Sequence, residues 1–365
     1  MRIMFVIPKM TNGGAERVVA NLANYWCKNN EVRIVAIASK KTFYALNKKI
    51  ELRGQELKIN RKNKFTTIGC YAKFFTKSAK FIERNIENFR PDCVISFLIE
   101  TDILTYVVTR KNSDIVKVFS ERNDPTKRGI FKRWILKKVY KNADLFVCQS
   151  KKIFNYYNYI PYDRKVIIPN PLDDANLPDP VVEQNHDIVA VGRLCKQKNF
   201  KLLIDSFILA ANKIPEDCNL IIYGDGPMKK ELQNRIDVSG MGKRIKLAGK
   251  SGNILDRIKG CAAYVMSSDY EGFPNSLLEA IAVGLPVIST NFYTGVAKDL
   301  VGRKNGLIVH VSNKTEMSNA IIYIMTNEDF RNNCRYNNIH IREEFSIDKI
   351  GHDWSLAIKK IKERK

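Results

Sequence analysis

The chain is poor in acidic residues, in histidine and in long apolar runs. Of 365 residues, 61 are Lys or Arg, 38 are Asp or Glu and four are His. No apolar stretch reaches the roughly 20 residues that a membrane-spanning helix needs, which argues against an integral membrane protein. The opening MRIMFVIPKM is interrupted too soon for a signal peptide and reads as a first buried strand. The eight cysteines are scattered, with no C-x-x-C pair and no metal-ligand spacing. They read as reduced core thiols, not as a disulfide framework or a zinc site. The first glycine turn lacks the G-x-G-x-x-G pattern, so no nicotinamide cofactor is inferred. There is no internal repeat, no low-complexity tract and no recognised nucleic-acid-binding module.

What is present suits two α/β domains, each with its own core, at 45% hydrophobic content. Short apolar strands alternate with amphipathic helices, the pattern of parallel sheets covered by helices. The spacing predicts strands near 2–7, 32–38, 92–97, 115–119, 144–148 and 165–168, then near 187–191, 219–223, 244–248, 262–266 and 286–290. Between the two sets lies PNPLDDANLPDP, residues 169–180, whose four prolines and lack of periodicity mark a linker. This divides the chain into domains 1–170 and 171–345, with a helix over 346–365 that carries Trp354.

The charge is uneven. Residues 1–170 hold 34 basic and 14 acidic residues, a net of +20, against +3 for residues 171–365. A lysine-rich genome would act on both halves, so the asymmetry favours an anionic partner for the first. Two segments there interleave aromatics with bases. CYAKFFTKSAKFIERN places Tyr71, Phe74, Phe75 and Phe81 among Lys73, Lys77, Lys80 and Arg84. KRGIFKRWILKKVYK has seven basic residues, with Phe131, Trp134, Ile135 and Val139 on roughly one helical face. Such helices bind anionic lipid surfaces, or else turn the apolar stripe to the core.

The densest block is SSDYEGFPNSLLEAIAVGLPVIST, residues 267–290. It reads as a loop and a helix leading into a buried strand. Glu271 sits in the loop and Glu279 about one turn into the helix. Helical side chains lean toward the N-terminus, so Glu279 points back at Glu271. The N–H groups of Asn275, Ser276 and Leu277 are expected to be free to hold an anion. Gly284 ends the helix and Pro286 prevents its continuation. Paired carboxylates beside a phosphate cradle suit a sugar joined to a nucleotide diphosphate. In VGRLCKQKNF, Arg193 and Lys198 follow a strand and can reach one diphosphate, Arg with a planar fork and Lys with a mobile charge. Gly224 and Gly226 permit a tight turn after the next strand. Near the start, Gly13 and Gly14 in PKMTNGGAER allow the backbone to approach a ligand where a helix begins.

E-x7-E followed by GLPVI, with GGAER and G-R-x(4)-K, resembles retaining glycosyltransferase family 4, of the bacterial polysaccharide-assembly type. The resemblance implies the α/β GT-B fold: two Rossmann-like domains with parallel sheets facing a central cleft that closes on the donor, and a C-terminal helix crossing back to the first domain. It implies an enzyme that moves a sugar, with retention and without a metal, from a nucleotide-diphosphate sugar to a growing saccharide in cell-surface polysaccharide biosynthesis, such as capsule or O-antigen. No cofactor is implied. The donor nucleotide is uridine diphosphate in preference to guanosine diphosphate, and the acceptor is polyprenyl-pyrophosphate-linked. Glu271, Arg193 and Lys198 take the catalytic roles. Gly13, Gly14, Gly224, Lys250, Gly272, Phe273, Pro274, Asn275, Ser276, Leu277 and Glu279 surround the donor, Glu279 on the ribose and Lys250 at the base. Many members carry a histidine beside the donor sugar, but the four here, at 186, 310, 340 and 352, lie outside the first domain. Glu121, Arg122 and Asn123 occupy that region, and Glu16 lies in GGAER; all four are assigned to the acceptor or donor-sugar side. A peripheral enzyme at the cytoplasmic face of an anionic membrane follows. A nucleotide-sugar epimerase and an inactive sugar-nucleotide-binding scaffold are the rival readings.

Overall fold

The computed structural model describes residues 1–56, 64–173, 177–302, 304–338 and 340–365, with only the backbone for 64–68. The chain forms two compact units: Met1–Pro171 with Ile347–Lys365, and Leu172–Ser346.

The first unit carries strands β1 (Arg2–Ile7), β2 (Glu31–Ala36), β3 (Glu51–Gly54), β4 (Cys93–Phe97), β5 (Val116–Ser120), β6 (Leu145–Cys148) and β7 (Lys165–Ile167). All pair in parallel in the order β3-β2-β1-β4-β5-β6-β7. Five of the six residues of β1 are buried, because helices cover both faces of such a sheet. Its helices are α1 (Gly14–Trp26), α2 (Lys64–Phe89), α3 (Ile99–Thr109), α4 (Ile130–Lys141) and α5 (Lys151–Tyr156).

The second unit carries β8 (Ile188–Val191), β9 (Leu220–Tyr223), β10 (Ile245–Gly249), β11 (Ala263–Met266), β12 (Val287–Thr290) and β13 (Gly306–Val309), also parallel, in the order β10-β9-β8-β11-β12-β13. Around it lie α6 (Phe200–Ala210), α7 (Lys229–Val238), α8 (Ile254–Ile258), α9 (Asn275–Ala282), α10 (Val296–Val301), α11 (Lys314–Thr326), α12 (Glu328–Asn338) and α13 (Ile341–Glu344). The last helix, α14 (Ile347–Lys362), packs in the first unit. Its Trp354 is fully buried, stacked on Phe97 at 6.2 Å and edge-on to Trp26 at 6.3 Å. Gly351 permits the approach of α14 to Tyr25, whose ring a Cβ would meet at 2.4 Å.

Strand order reverses between β1 and β4 in one sheet and between β8 and β11 in the other. Ligands of open parallel sheets bind outside the carboxyl ends of the strands at such switch points. Two edge strands, β3 and β13, lie outside the predicted set; each is four residues long, and β3 is only half-buried. The stretch 169–180 is not a free tether where it is described. Asn170 is buried, Leu172 N–H bonds Phe345 O at 2.8 Å, and the Arg342 guanidinium donates to Pro178 O. Prolines cannot join a ladder as donors, but their carbonyls can still accept. Among the described residues no helix is long and apolar enough to cross a membrane.

Candidate functional site

In the second unit the loops after β8 and β11 are stitched together. Ser267 Oγ donates to Lys198 O at 2.8 Å, and Asp269 N–H to Gln197 O at 2.9 Å. Gln197 Nε2 donates to Tyr270 O at 2.9 Å and to Glu271 Oε2 at 3.2 Å. Lys198 Nζ reaches Glu271 Oε1 at 2.7 Å. Asn199 makes the turn into α6 with a left-handed φ of 44°, where asparagine is tolerated better than most residues. Its side chain caps α6 through Leu202 N–H and donates to Asp269 Oδ1 at 2.8 Å. The switch point of this sheet therefore presents a preformed lysine–carboxylate pair, with Glu271 only 8% exposed.

The loop after β9 braces the loop after β8. Gly192 N–H bonds Tyr223 O, Leu194 N–H bonds Asp225 O, and Gly224 N–H bonds Gly249 O. Gly224 has φ of 146°, and a Cβ there would lie 1.8 Å from Gly192 O. A Cβ on Gly226 would meet Leu194 O at 2.4 Å. Both glycines are thus demanded by backbone contact as well as by the turn.

The helix start differs from expectation. Asn275 N–H bonds Phe273 O, and both Leu277 and Leu278 N–H bond Pro274 O. The Asn275 bond spans two residues and the Leu277 bond three, so both use donors an open α-helix would leave free, while the Leu278 bond is the ordinary span of four. Ser276 N–H remains without a backbone partner among the described residues. Phe273 and Leu277 turn their side chains into the core, Phe273 against Phe345 at 6.3 Å. Pro274 is buried as well. Glu279 is 9% exposed in the second turn of α9. Burial pushes the Tyr264 hydroxyl above its ordinary pKa, and the Glu271 and Glu279 charges push it further. Tyr264 donates to Ser276 Oγ at 3.0 Å. Arg193 and Lys250 are exposed at their strand ends. The structure thus pairs Lys198 with Glu271, while the Arg193 side chain is exposed. Sequence reading missed Gln197, Asp269 and Tyr264. Their only signal was position inside the quoted blocks.

In the first unit Gly13 lets the chain fold closely on itself: a Cβ would lie 2.1 Å from Glu16 Oε2. Gly14 opens α1, whose N-terminus is therefore covered by its own Glu16 carboxylate. Thr11 Oγ1 donates to that carboxylate at 3.4 Å, and burial raises its pKa. After β5, Glu121 is 3% exposed and saturated. It accepts from Arg122 N–H and Asn123 N–H at 3.0 Å each, pairs with Arg128 and accepts from the Tyr157 hydroxyl. Burial alone would depress the Arg128 guanidinium, but Glu121 holds it above its ordinary value. Arg122 is buried over Phe97 at 4.5 Å and Trp354 at 5.6 Å, and Nη1 donates to Asn170 at 2.5 Å. Burial lowers its pKa to about 9. In this region the side chain at the surface is Asn123. Nearby, Asp102 accepts from Ser96 Oγ at 2.5 Å and from the Tyr140 hydroxyl at 2.9 Å, and burial lifts it far above the usual carboxylate range.

The helix α4 does not present one apolar face. Leu136, Val139 and Tyr140 are buried and Ile135 packs against them, while Phe131 and Trp134 face solvent. The two aromatics precede the point at which α4 meets its core.

Comparison with known proteins identifies the family and the fold. Residues 12–176 match the family described as Glycosyltransferase Family 4, and residues 178–340 the family described as Glycosyl transferases group 1. The chain belongs to the family 4-type glycosyltransferases and has the GT-B fold. It is 24% identical, over 99% of both chains, to the GalNAc-alpha-(1->4)-GalNAc-alpha-(1->3)-diNAcBac-PP-undecaprenol alpha-1,4-N-acetyl-D-galactosaminyltransferase of Campylobacter jejuni. It is likewise 24% identical to the amylovoran biosynthesis glycosyltransferase AmsD of Erwinia amylovora, over 91% of this chain and 92% of that one. Among solved structures, HepE of Anabaena in complex with UDP superposes with a TM-score of 0.78 at 16% identity, covering 99% of this chain and 100% of that one.

Proposed function

We propose that this glycosyltransferase moves a sugar, with retention, from a UDP-sugar to a lipid-linked saccharide during assembly of a cell-surface polysaccharide. The carrying observation is the Lys198–Glu271 pair at the switch point of the second sheet. Lys198 has three donors, and Glu271 occupies one; the others are available to a diphosphate. Arg193 and the Ser276 N–H complete the cationic and dipolar set that stabilises the leaving diphosphate as the glycosidic bond breaks. Glu271 positions sugar hydroxyls and Glu279 binds the ribose. The acceptor hydroxyl attacks the anomeric carbon on the face from which the diphosphate departs, and its proton passes to a diphosphate oxygen. No protein nucleophile and no metal take part. The uridine assignment is supported by UDP in the HepE complex, and the lipid-linked acceptor by the undecaprenol substrates named for two Campylobacter relatives. The protein works at the cytoplasmic membrane face, where such acceptors are met.

A panel of UDP- and GDP-sugars tested for thermal stabilisation and hydrolysis checks this reading. One UDP-sugar should raise the melting temperature and be slowly hydrolysed. Stabilisation by no nucleotide sugar would overturn it, and turnover to an epimer of the donor would replace transfer with epimerisation.

A further inference from the structure

We propose that the first turn of α4 is a rigid apolar wedge that inserts into an anionic lipid bilayer. Ile130, Phe131 and Trp134 are 85%, 72% and 68% exposed. They lie within about one helical turn of each other, and the Phe131 and Trp134 rings stack at 6.5 Å. Large apolar side chains grouped in this way mark an interaction site. The surroundings select the occupant: Lys127, Lys132, Arg133, Lys137 and Lys138 are all exposed around the wedge. An apolar tip in a cationic rim matches the acyl boundary beneath anionic headgroups.

The mount of the wedge is stiff. Arg133 donates to Arg128 O at 2.8 Å and to Thr126 O at 2.7 Å, which clamps the turn that leads into α4. Arg128, two residues before the wedge, is rooted in the buried Glu121 and donates to the Tyr157 hydroxyl at 2.9 Å. This gives the saturated Glu121 network a purpose: it ties the wedge to the end of β5.

A second element points the same way. Both α2 and α4 pack on α3, so they share one face of the sheet. Each ends just before the strand that follows it, so each begins toward the carboxyl edge of the strands. Tyr71 and Phe75, early in α2, are 45% and 37% exposed, beside exposed Lys73 and Lys77. Apolar and basic side chains of both helices therefore gather toward the edge that carries the Gly13 and Glu121 loops. A bilayer engaged there would meet the edge at which a lipid-linked acceptor is expected. The wedge itself does not depend on glycosyl transfer, and its test requires no turnover.

Trp134 is the reporter. Trp26 is 3% exposed and Trp354 is fully buried, so Trp134 is the solvent-facing tryptophan. The full chain is titrated with vesicles of phosphatidylglycerol and phosphatidylcholine, with and without brominated acyl chains, at low and high salt. Insertion predicts a blue shift and quenching by the brominated chains, both abolished in Trp134→Phe. The pair Phe131→Ser and Trp134→Ser should weaken vesicle partition roughly tenfold or more at either salt concentration, with an unchanged melting temperature. Lys132→Ser with Lys137→Ser should weaken it mainly at low salt. Binding with unmoved Trp134 emission would overturn insertion in favour of charge adsorption alone. Absence of vesicle binding, with a dimer in sedimentation that dissociates in the Ser pair, would mean that a second copy covers the wedge. Absence of both would leave it without the occupant argued here.

Discussion

The Lys198 ammonium sits 2.7 Å from the Glu271 carboxylate across two loops that leave neighbouring strands of the second sheet. Their side chains are 18% and 10% exposed, so each needs the other before any ligand arrives. Arg193, five residues before Lys198, is exposed and has no such tie among the described residues. Two cations that look alike in sequence thus have different structural duties. Lys198→Ala and Arg193→Ala should each cut turnover at least about tenfold, since a charge-assisted contact contributes roughly 1.5–3 kcal/mol. Thermal melts should separate them. Lys198→Ala strands a buried carboxylate and should lower stability by up to about 3 kcal/mol. Arg193→Ala should leave the melting temperature within error. Equal melting losses would refute the division.

The two acids should separate kinetically. Glu271→Gln retains shape and the Gln197 contact but removes the charge opposite Lys198, so turnover should fall strongly while UDP still binds. Glu279→Ala should mainly weaken UDP. Calorimetry with free UDP decides: unchanged affinity in Glu279→Ala would remove the ribose assignment.

Catalysis without a metal predicts that excess EDTA leaves the rate unchanged. Loss of activity restored by a divalent ion would assign part of the diphosphate's stabilisation to that ion.

Gly224→Ala should destabilise the second unit by about 2 kcal/mol or more, because a Cβ meets Gly192 O at 1.8 Å and the residue holds φ of 146°. The strain falls on the loop that carries Arg193, so UDP affinity should fall with the melting temperature. A neutral effect on both would mean that the turn can move aside.

Burial raises the Asp102 carboxyl in the folded state, with the Glu121 charge adding to the effect and the Ser96 and Tyr140 hydroxyls opposing it. Above the unfolded pKa of about 3.9, the folded state then binds more protons than the unfolded one. Stability therefore falls as pH rises from there toward the folded pKa. Asp102→Asn, neutral and of similar shape, should remove this component of the slope. Urea midpoints at pH 5 and pH 8 test it. The wild type should lose more stability across that range than Asp102→Asn, and identical profiles would show that Asp102 is ionised.

The inner strands were legible because strands covered on both faces read as apolar runs, as in MFVI, CVISF and AYVM. β3 did not, since ELRG lies at the sheet edge and is half-buried, so packing selected no apolar pattern. The blocks around Glu271, Arg193 and Gly224 were legible because loop chemistry at strand ends is local. A carboxylate, a cation and a glycine keep their types whatever surrounds them.

By itself the sequence determined the α/β class and the family, since periodicity and short motifs are properties of neighbours along the chain. Partnership was decided in three dimensions. Only the packed loops joined Lys198 to Glu271 and left Arg193 in solvent, across 73 positions of sequence. Only the tightened first turn of α9 spent the N–H groups of Asn275 and Leu277 on Phe273 and Pro274. Only the length of core beneath α4 turned Val139 inward and left Phe131 and Trp134 outside. A helical stripe states which residues share a face, but the neighbouring surface determines how far along the helix that face is covered.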